Sequence, residues 1–373
     1  MVENILDFAE QKLGAPKQKW SVPTATHNPY DAKTSPADIL QFLPPDGSMF
    51  SLFNDPYARM SYYMPKTGNH KAKYWLESRL QEHSFTDNEL KLIHFLTEHR
   101  CATRSQIKRA IFHVNDNNDK IKDFLGKCHD RGIISAFSWG TPCKSDKKKP
   151  LVYGLTRVGC QAAEFLYHAR VPKNFIFQPV QFPIGTAPKM NTFFPFLAAN
   201  ELYCQLKVVD RVVKWEREPT LLLEDQTTFR PHFVAEVIRD AGELKTLWIE
   251  VVRVFNGWYE HTMNHFKQIQ HALEHIPEHL RPARILILAD SDSRIPILSA
   301  LAEEHMPDGV IRFTTDERLL STWNEETLVQ CEPEGGLVGS PIPFLLPNWN
   351  GMTASEYLAQ QTVEFEDELF EDM

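Results

Sequence analysis

The spacing of apolar residues changes several times along this chain, and the changes divide it. Up to about residue 83 the apolar runs are short. They are interrupted by Pro, Asn, Asp and Tyr, as in SVPTATHNPYDAKTSPADILQFLPPDGSMF, so residues 1–83 read as an irregular arm or small subdomain. A helical period begins after Phe85. Thr86 and Glu89 form a T-x-x-E capping box, Phe85 and Leu90 are placed as a hydrophobic staple, and Leu90, Ile93 and Leu96 recur at helical spacing. A second capping box at Thr103 and Gln106 opens a shorter helix, with Ile107 and Ala110 inward and Arg104, Lys108 and Arg109 outward. A third helix starts in the run NDNND, puts Ile121, Phe124, Leu125 and Cys128 on one face, and ends at Gly132. Strand patterns follow at 133–139 and 151–155, and Thr156 then caps a helix with Ala162, Phe165 and Leu166 inward.

Three helices followed by a hairpin with a basic tip is the order of a winged helix-turn-helix, here over residues 84–169. A recognition helix needs an apolar back and a polar front, because the front faces base edges in the major groove. The third helix offers Asn117, Asn118, Lys120, Lys122 and Lys127, and the loop TPCKSDKKKP carries Lys144, Lys147, Lys148 and Lys149 for phosphate contact. The same order of elements also serves protein-protein modules.

From Asn191 a second pattern starts. A helix is marked by Phe194, Leu197, Leu202 and Leu206 and carries Glu201. Strand-like runs occupy 208–216, 230–239 and 247–254, followed by a helix at 258–273, a strand at 284–289, a helix around 297–305 and a strand at 310–314. Residues 190–330 therefore read as an α/β sandwich around a mixed sheet, and the whole chain as α+β.

Charge sharpens this division. The net charge of −9 by itself argues against a nucleic-acid partner. Yet Phe85 to Arg157 holds 14 Lys and Arg against 8 Asp and Glu, while residues 351–373 hold seven acids and no base. The tail TVEFEDELFEDM reads as a disordered, acidic binding motif for replication or mobilisation proteins, as a segment that folds back on the protein's own basic surface, or equally as a solubilising terminus. With 42% hydrophobic residues over 373 positions, the composition is that of an ordinary globular protein of two or three domains. No apolar run has the length of a membrane span and the start has no export signal, so the expectation is a cytoplasmic protein. The six cysteines lie far apart and form no CxxC pair, which argues against a disulfide framework and a zinc finger.

The chain also resembles the replication-relaxation family of bacterial plasmids and other mobile elements, over about residues 84–320. The resemblance is carried by the helix pattern after FTDNELKLIHFL, by YGLTRVG (Tyr153 to Gly159), by FRP at Phe229 to Pro231 and by IEV at Ile249 to Val251. It implies a C-terminal half similar to the PD-(D/E)xK, or restriction-endonuclease-like, fold. In that fold a helix Glu, a strand Asp and an E-x-K hold a divalent cation that activates water on a phosphodiester. Glu201 matches the helix acid and Glu250 the Glu of E-x-K. The Asp position is held by His232 and the Lys position by Val252. A ligand and a water-orienting group are thus replaced, and the expectation is a scaffold without catalysis, metal or other cofactor. Glu224, Asp225 and Asp240 are the nearby acids available as substitutes.

The helix after these strands carries His261, His265, His271 and His275, with His279 just beyond. The first two are spaced i and i+4, which suits a metal, but no third ligand is legible and the acid of an HExxH motif is missing. They read as surface histidines, and Arg253, Lys267 and Gln268 as an extension of a DNA-facing surface. The expected function is that of a homodimeric, duplex-DNA-binding accessory or regulatory protein of a mobile element, acting in replication, mobilisation or transposition. The alternatives are a nuclease or nickase using Glu201 and Glu250 with Mg or Mn, and an interaction module of a replication or conjugation complex.

Overall fold

Thr86 and Thr103 each start a helix with a complete capping box: the hydroxyl accepts from the backbone N–H three residues on, and Glu89 or Gln106 reaches back to the N–H of its threonine. These boxes satisfy donors that have no partner inside the helix, so two helix starts are set by local sequence. They belong to a computed structural model that describes residues 42–46, 48, 50–65, 70–113, 115–140, 149–168, 170–182, 186–240 and 242–371. By backbone contacts the described chain divides into two units, residues 55–200 and residues 42–54 with 201–371.

The unit of residues 55–200 contains β1 (Arg59–Tyr63), α1 (His70–Gln81), α2 (Asp87–His99), β2 (Cys101–Thr103), α3 (Arg104–Ile111), α4 (Asn118–Asp130), β3 (Ile134–Gly140), β4 (Val152–Leu155) and α5 (Arg157–Tyr167). The division falls within α6 (Phe194–Val208). The four strands form an antiparallel sheet in the order β1-β3-β4-β2. Leu92, Ile93, Leu96, Ile107, Ile121, Leu125 and Phe137 are buried at the core of this unit. Residues 59–63 and 70–81, read from sequence as part of an irregular arm, form a strand paired with β3 and a helix.

Two helix faces differ from the sequence reading. On α2 the buried apolar set is Leu92, Ile93, Phe95 and Leu96, with Leu90 half-buried. On α5 the buried face is Gly159, Cys160, Ala162 and Ala163, and Phe165 is 69% exposed. The cause is a close approach: a Cβ on Gly159 would lie 2.2 Å from the carbonyl oxygen of Ile133. Only the small-residue face of α5 fits there, and Phe165 turns outward.

The other unit adds β5 (Val212–Arg217), β6 (Leu221–Leu222), β7 (Thr228–Phe229), β8 (Phe233–Ile238), β9 (Leu244–Val251), α7 (Trp258–His275), β10 (Arg284–Ala289), α8 (Ile295–His305), β11 (Ile311–Thr315), α9 (Asp316–Leu320), β12 (Val329–Cys331), β13 (Leu337–Gly339) and α10 (Ala354–Glu371). Seven strands make one mixed sheet in the order β13-β12-β11-β10-β9-β8-β5. β5, β8 and β9 run antiparallel, β9, β10 and β11 run parallel, and β12 and β13 return antiparallel. The central strands are buried on both faces, which explains the near-continuous apolar runs in LWIEV and RILILA. The chain is thus of mixed α+β class.

The acidic tail departs from its expected disorder: its backbone is helical from Ala354 to Glu371. A third T-x-x-E box starts this helix, with the Thr353 hydroxyl accepting from Glu356 N–H and the Glu356 carboxylate accepting from Thr353 N–H. The Asp210 carboxylate also accepts from the Ser355 N–H and hydroxyl. Among the described residues, no helix is long and apolar enough to cross a membrane.

Candidate functional site

Register builds the first candidate site. Phe233 at the start of β8 pairs with Ile249 of β9 in antiparallel register, so His232, one residue earlier, comes level with Glu250. Pro231 precedes the strand and has no N–H for a ladder. From α7, His265 reaches the same point. His265 Nε2 lies 2.7 Å and His232 Nδ1 2.9 Å from the same carboxylate oxygen, Glu250 Oε2. The two imidazole rings stack, with centroids 4.8 Å apart and planes 16° apart. Phe229 packs tilted against Trp248 and His265 on the other side.

The cluster is graded in exposure. The Glu250 side chain is fully buried, that of His265 is 14% exposed and that of His232 is 32% exposed. Burial raises the Glu250 carboxyl, but the neighbouring histidines outweigh it and hold the group at about 2. For His265 burial works downward and the Glu250 carboxylate upward, with a net rise. Exposed His261, one turn earlier on α7, is pushed down by burial and by the two histidines. The other oxygen, Glu250 Oε1, is buried and receives no hydrogen bond from any described residue.

Strand register brings a His232 imidazole nitrogen to 2.9 Å from Glu250 Oε2. Two sequence expectations change here. His265 is not a surface histidine. Glu201 is buried on α6, but the ligand atoms within 4.8 Å of one another are those of His232, Glu250 and His265. Val252 is buried, and Arg253 is 4% exposed, with its guanidinium on the Asp316 carboxylate, which also accepts from the Ser51 hydroxyl. Arg253 is therefore an internal ion pair and not part of a DNA-facing surface. The signal that was missed is a joint one: only strand register places His232 beside Glu250, and neither sequence interval shows it.

A second group, Asp225, His271 and His275, lies on the surface of the same unit. His271 Nε2 is 2.9 Å from Asp225 Oδ2, and the two imidazoles, one turn apart on α7, pack tilted at 37° with centroids 4.4 Å apart. Asp225 is held in its turn by the N–H and hydroxyl of Thr227.

In the unit of residues 55–200 the candidate nucleic-acid residues cluster on α3 and α4. Asn117, Asn118, Lys120, Lys122 and Lys127 are all exposed, while Ile121, Leu125 and Cys128 of the same helix are buried. Asn117 caps α4, accepting from the Asp119 N–H. Arg104 is exposed at the start of α3, Arg109 and Lys108 are half-buried, and Lys108 donates to the Asn118 amide oxygen at 3.1 Å. Lys149 is half-buried, and Lys144, Lys147 and Lys148 lie outside the described residues. Compared with protein-family models, curated proteins and solved structures, the chain matches none of them.

Proposed function

We propose that residues 84–169 form a winged helix-turn-helix that binds duplex DNA, with α4 as the helix that enters the major groove. The observation that carries this is the division of α4 into a buried apolar side and an exposed polar side, on which two asparagines and three lysines outnumber Asp119 and Asp123. Asn can bond an adenine edge with two hydrogen bonds and Lys reaches guanine or phosphate, so this face carries the chemistry of both base reading and positioning. The order α2-β2-α3-α4-β3-β4 supports the same reading, since the β3-β4 hairpin stands where a wing follows its recognition helix.

In the same proposal the order α6-β5-β8-β9-α7-β10 is a nuclease-like scaffold, and the protein is a homodimeric accessory or regulatory factor of a mobile element. Fluorescence anisotropy with labelled duplex DNA at graded salt tests the DNA reading. Salt-sensitive binding that falls on Lys120→Glu and Lys127→Glu is the expected result. Binding unaffected by either change, or no binding at low salt, overturns it.

A further inference from the structure

We propose that His232, Glu250 and His265 form a binding site for a divalent transition metal of the zinc class, with two imidazoles and one carboxylate as ligands. The ligands come from three elements that the sheet and α7 bring together: the entry to β8, the end of β9 and the middle of α7. Their ligand atoms all lie within 4.8 Å of one another.

The clustering of these ligand atoms and one unanswered carboxylate oxygen point to a cation. The backbone N–H of Val251 donates to His232 Nδ1 at 3.0 Å, so the ring turns out of that bond when this nitrogen takes a metal. The same nitrogen is 2.9 Å from Glu250 Oε2, which accepts from the His232 backbone N–H at 3.4 Å and lies 2.7 Å from His265 Nε2. Glu250 Oε1 is buried and has no donor among the described residues. A buried carboxylate oxygen left in this way costs about 1–3 kcal/mol or more, and a metal bound by the carboxylate removes that cost.

The donor set selects the ion. Imidazole nitrogen suits zinc and its first-row neighbours, whereas magnesium demands oxygen ligands and keeps its waters. Zinc takes nitrogen and oxygen ligands at about 2.0–2.2 Å, which sets tetrahedral ligand atoms about 3.3 Å apart. The present separations of 2.7 and 2.9 Å widen by about half an ångström on loading. The partly exposed ring of His232 supplies that movement and an entry path. Three protein ligands leave a fourth position for water or a small anion.

This inference does not rest on the DNA reading, and its test contains no DNA. The full chain is prepared with His271→Ala and His275→Ala, which silences the surface group, then stripped with a chelator. It is titrated with Zn²⁺ against a chromophoric chelator and separately with Co²⁺. The expected result is one equivalent of zinc, visible cobalt bands of a four- or five-coordinate site, and no competition from millimolar Mg²⁺. His232→Ala and His265→Ala should each weaken zinc by more than the about 10–100-fold typical of outer-shell changes. Zinc should raise the unfolding temperature of the parent and not of either variant. His232 is the exposed ligand, so its variant keeps the test valid if His265→Ala unfolds. No zinc uptake by the parent, or equal affinity in the folded His232→Ala variant, overturns the proposal.

Discussion

Arg131 Nη1 lies 3.0 Å from Glu89 Oε1, which ties the end of α4 to the first turn of α2. The other oxygen of Glu89 accepts from the Thr86 N–H at 2.9 Å, and Arg79 of α1 stands 3.7 Å from Oε1. One buried carboxylate thus closes a capping box and answers two cations from different helices. Glu89→Ala removes the cap and the buried carboxylate that both arginines face, so it should cost about 2–4 kcal/mol. Glu89→Gln keeps an acceptor for Thr86 and should cost less than Glu89→Ala. Arg131→Ala, at a partly exposed site, should cost about 1 kcal/mol or less. Urea unfolding of the three variants checks the order, and equal losses for Ala and Gln would remove the role of the cap.

Gly159 is required by a backbone atom, not by a side chain. A methyl group there meets the Ile133 carbonyl oxygen at 2.2 Å, and that oxygen also accepts from Thr156 N–H at the start of α5. Gly154→Ala instead meets the ring of Phe177 at 2.3 Å, and a ring can turn. Gly159→Ala is expected to destabilise by about 2 kcal/mol or more, at the upper end for overpacking. A thermal melt within the error of the parent would show that α5 can slide away from β3 at no cost.

These examples show why part of the molecule was legible in advance. The boxes at Thr86 and Thr103 are local, three residues long, and decided by the chain next to them, so sequence spacing finds them. The strand at 284–289 is read with its exact bounds because its apolar run has clear ends. What escaped is what depends on distant partners. The outward turn of Phe165 follows from the approach of α5 to Ile133, and β1 is a strand because β3 offers it an edge. The site at Glu250 escaped for the same reason. His265 reads as a surface residue along α7, and only the pairing of β8 with β9 shows that two imidazoles share one carboxylate.

Asp55 gives the unit of residues 55–200 a pH dependence of definite sign. Burial raises its carboxyl from 3.8 to about 6, against the lowering effect of the Tyr57 N–H bond and of Lys149. Between those two values the folded state keeps a proton that the unfolded state has released. Stability contributed at this site is therefore present below about pH 4, falls as pH rises toward 6, and stays lost above it. The full span is about 3 kcal/mol. Asp55→Asn keeps an acceptor for Tyr57 and never ionises, so its stability relative to the parent should grow from pH 4 to pH 6 and then level off. A constant difference between the two proteins across that range would show that Asp55 ionises in the folded state as it does in the unfolded one.

The DNA proposal makes a quantitative demand on single lysines. Each phosphate neutralised by a lysine releases condensed counterions, and the slope of log K against log salt changes by about 0.9 per contact. Lys120, Lys122 and Lys127 are exposed on one helix, and among the described residues none of them forms an ion pair. If all three touch phosphate, the triple alanine variant should lose about 2.7 from the slope. A lysine that reads a base edge behaves differently: its loss weakens binding to the preferred sequence more than to others. Lys73 on α1 is a fair control, since it is 73% exposed and already 3.6 Å from Glu77. Lys73→Ala should leave the slope unchanged. A slope that falls equally for Lys73→Ala and for the α4 lysines would mean that DNA meets the general charge of the surface, and α4 would lose its claim to the groove.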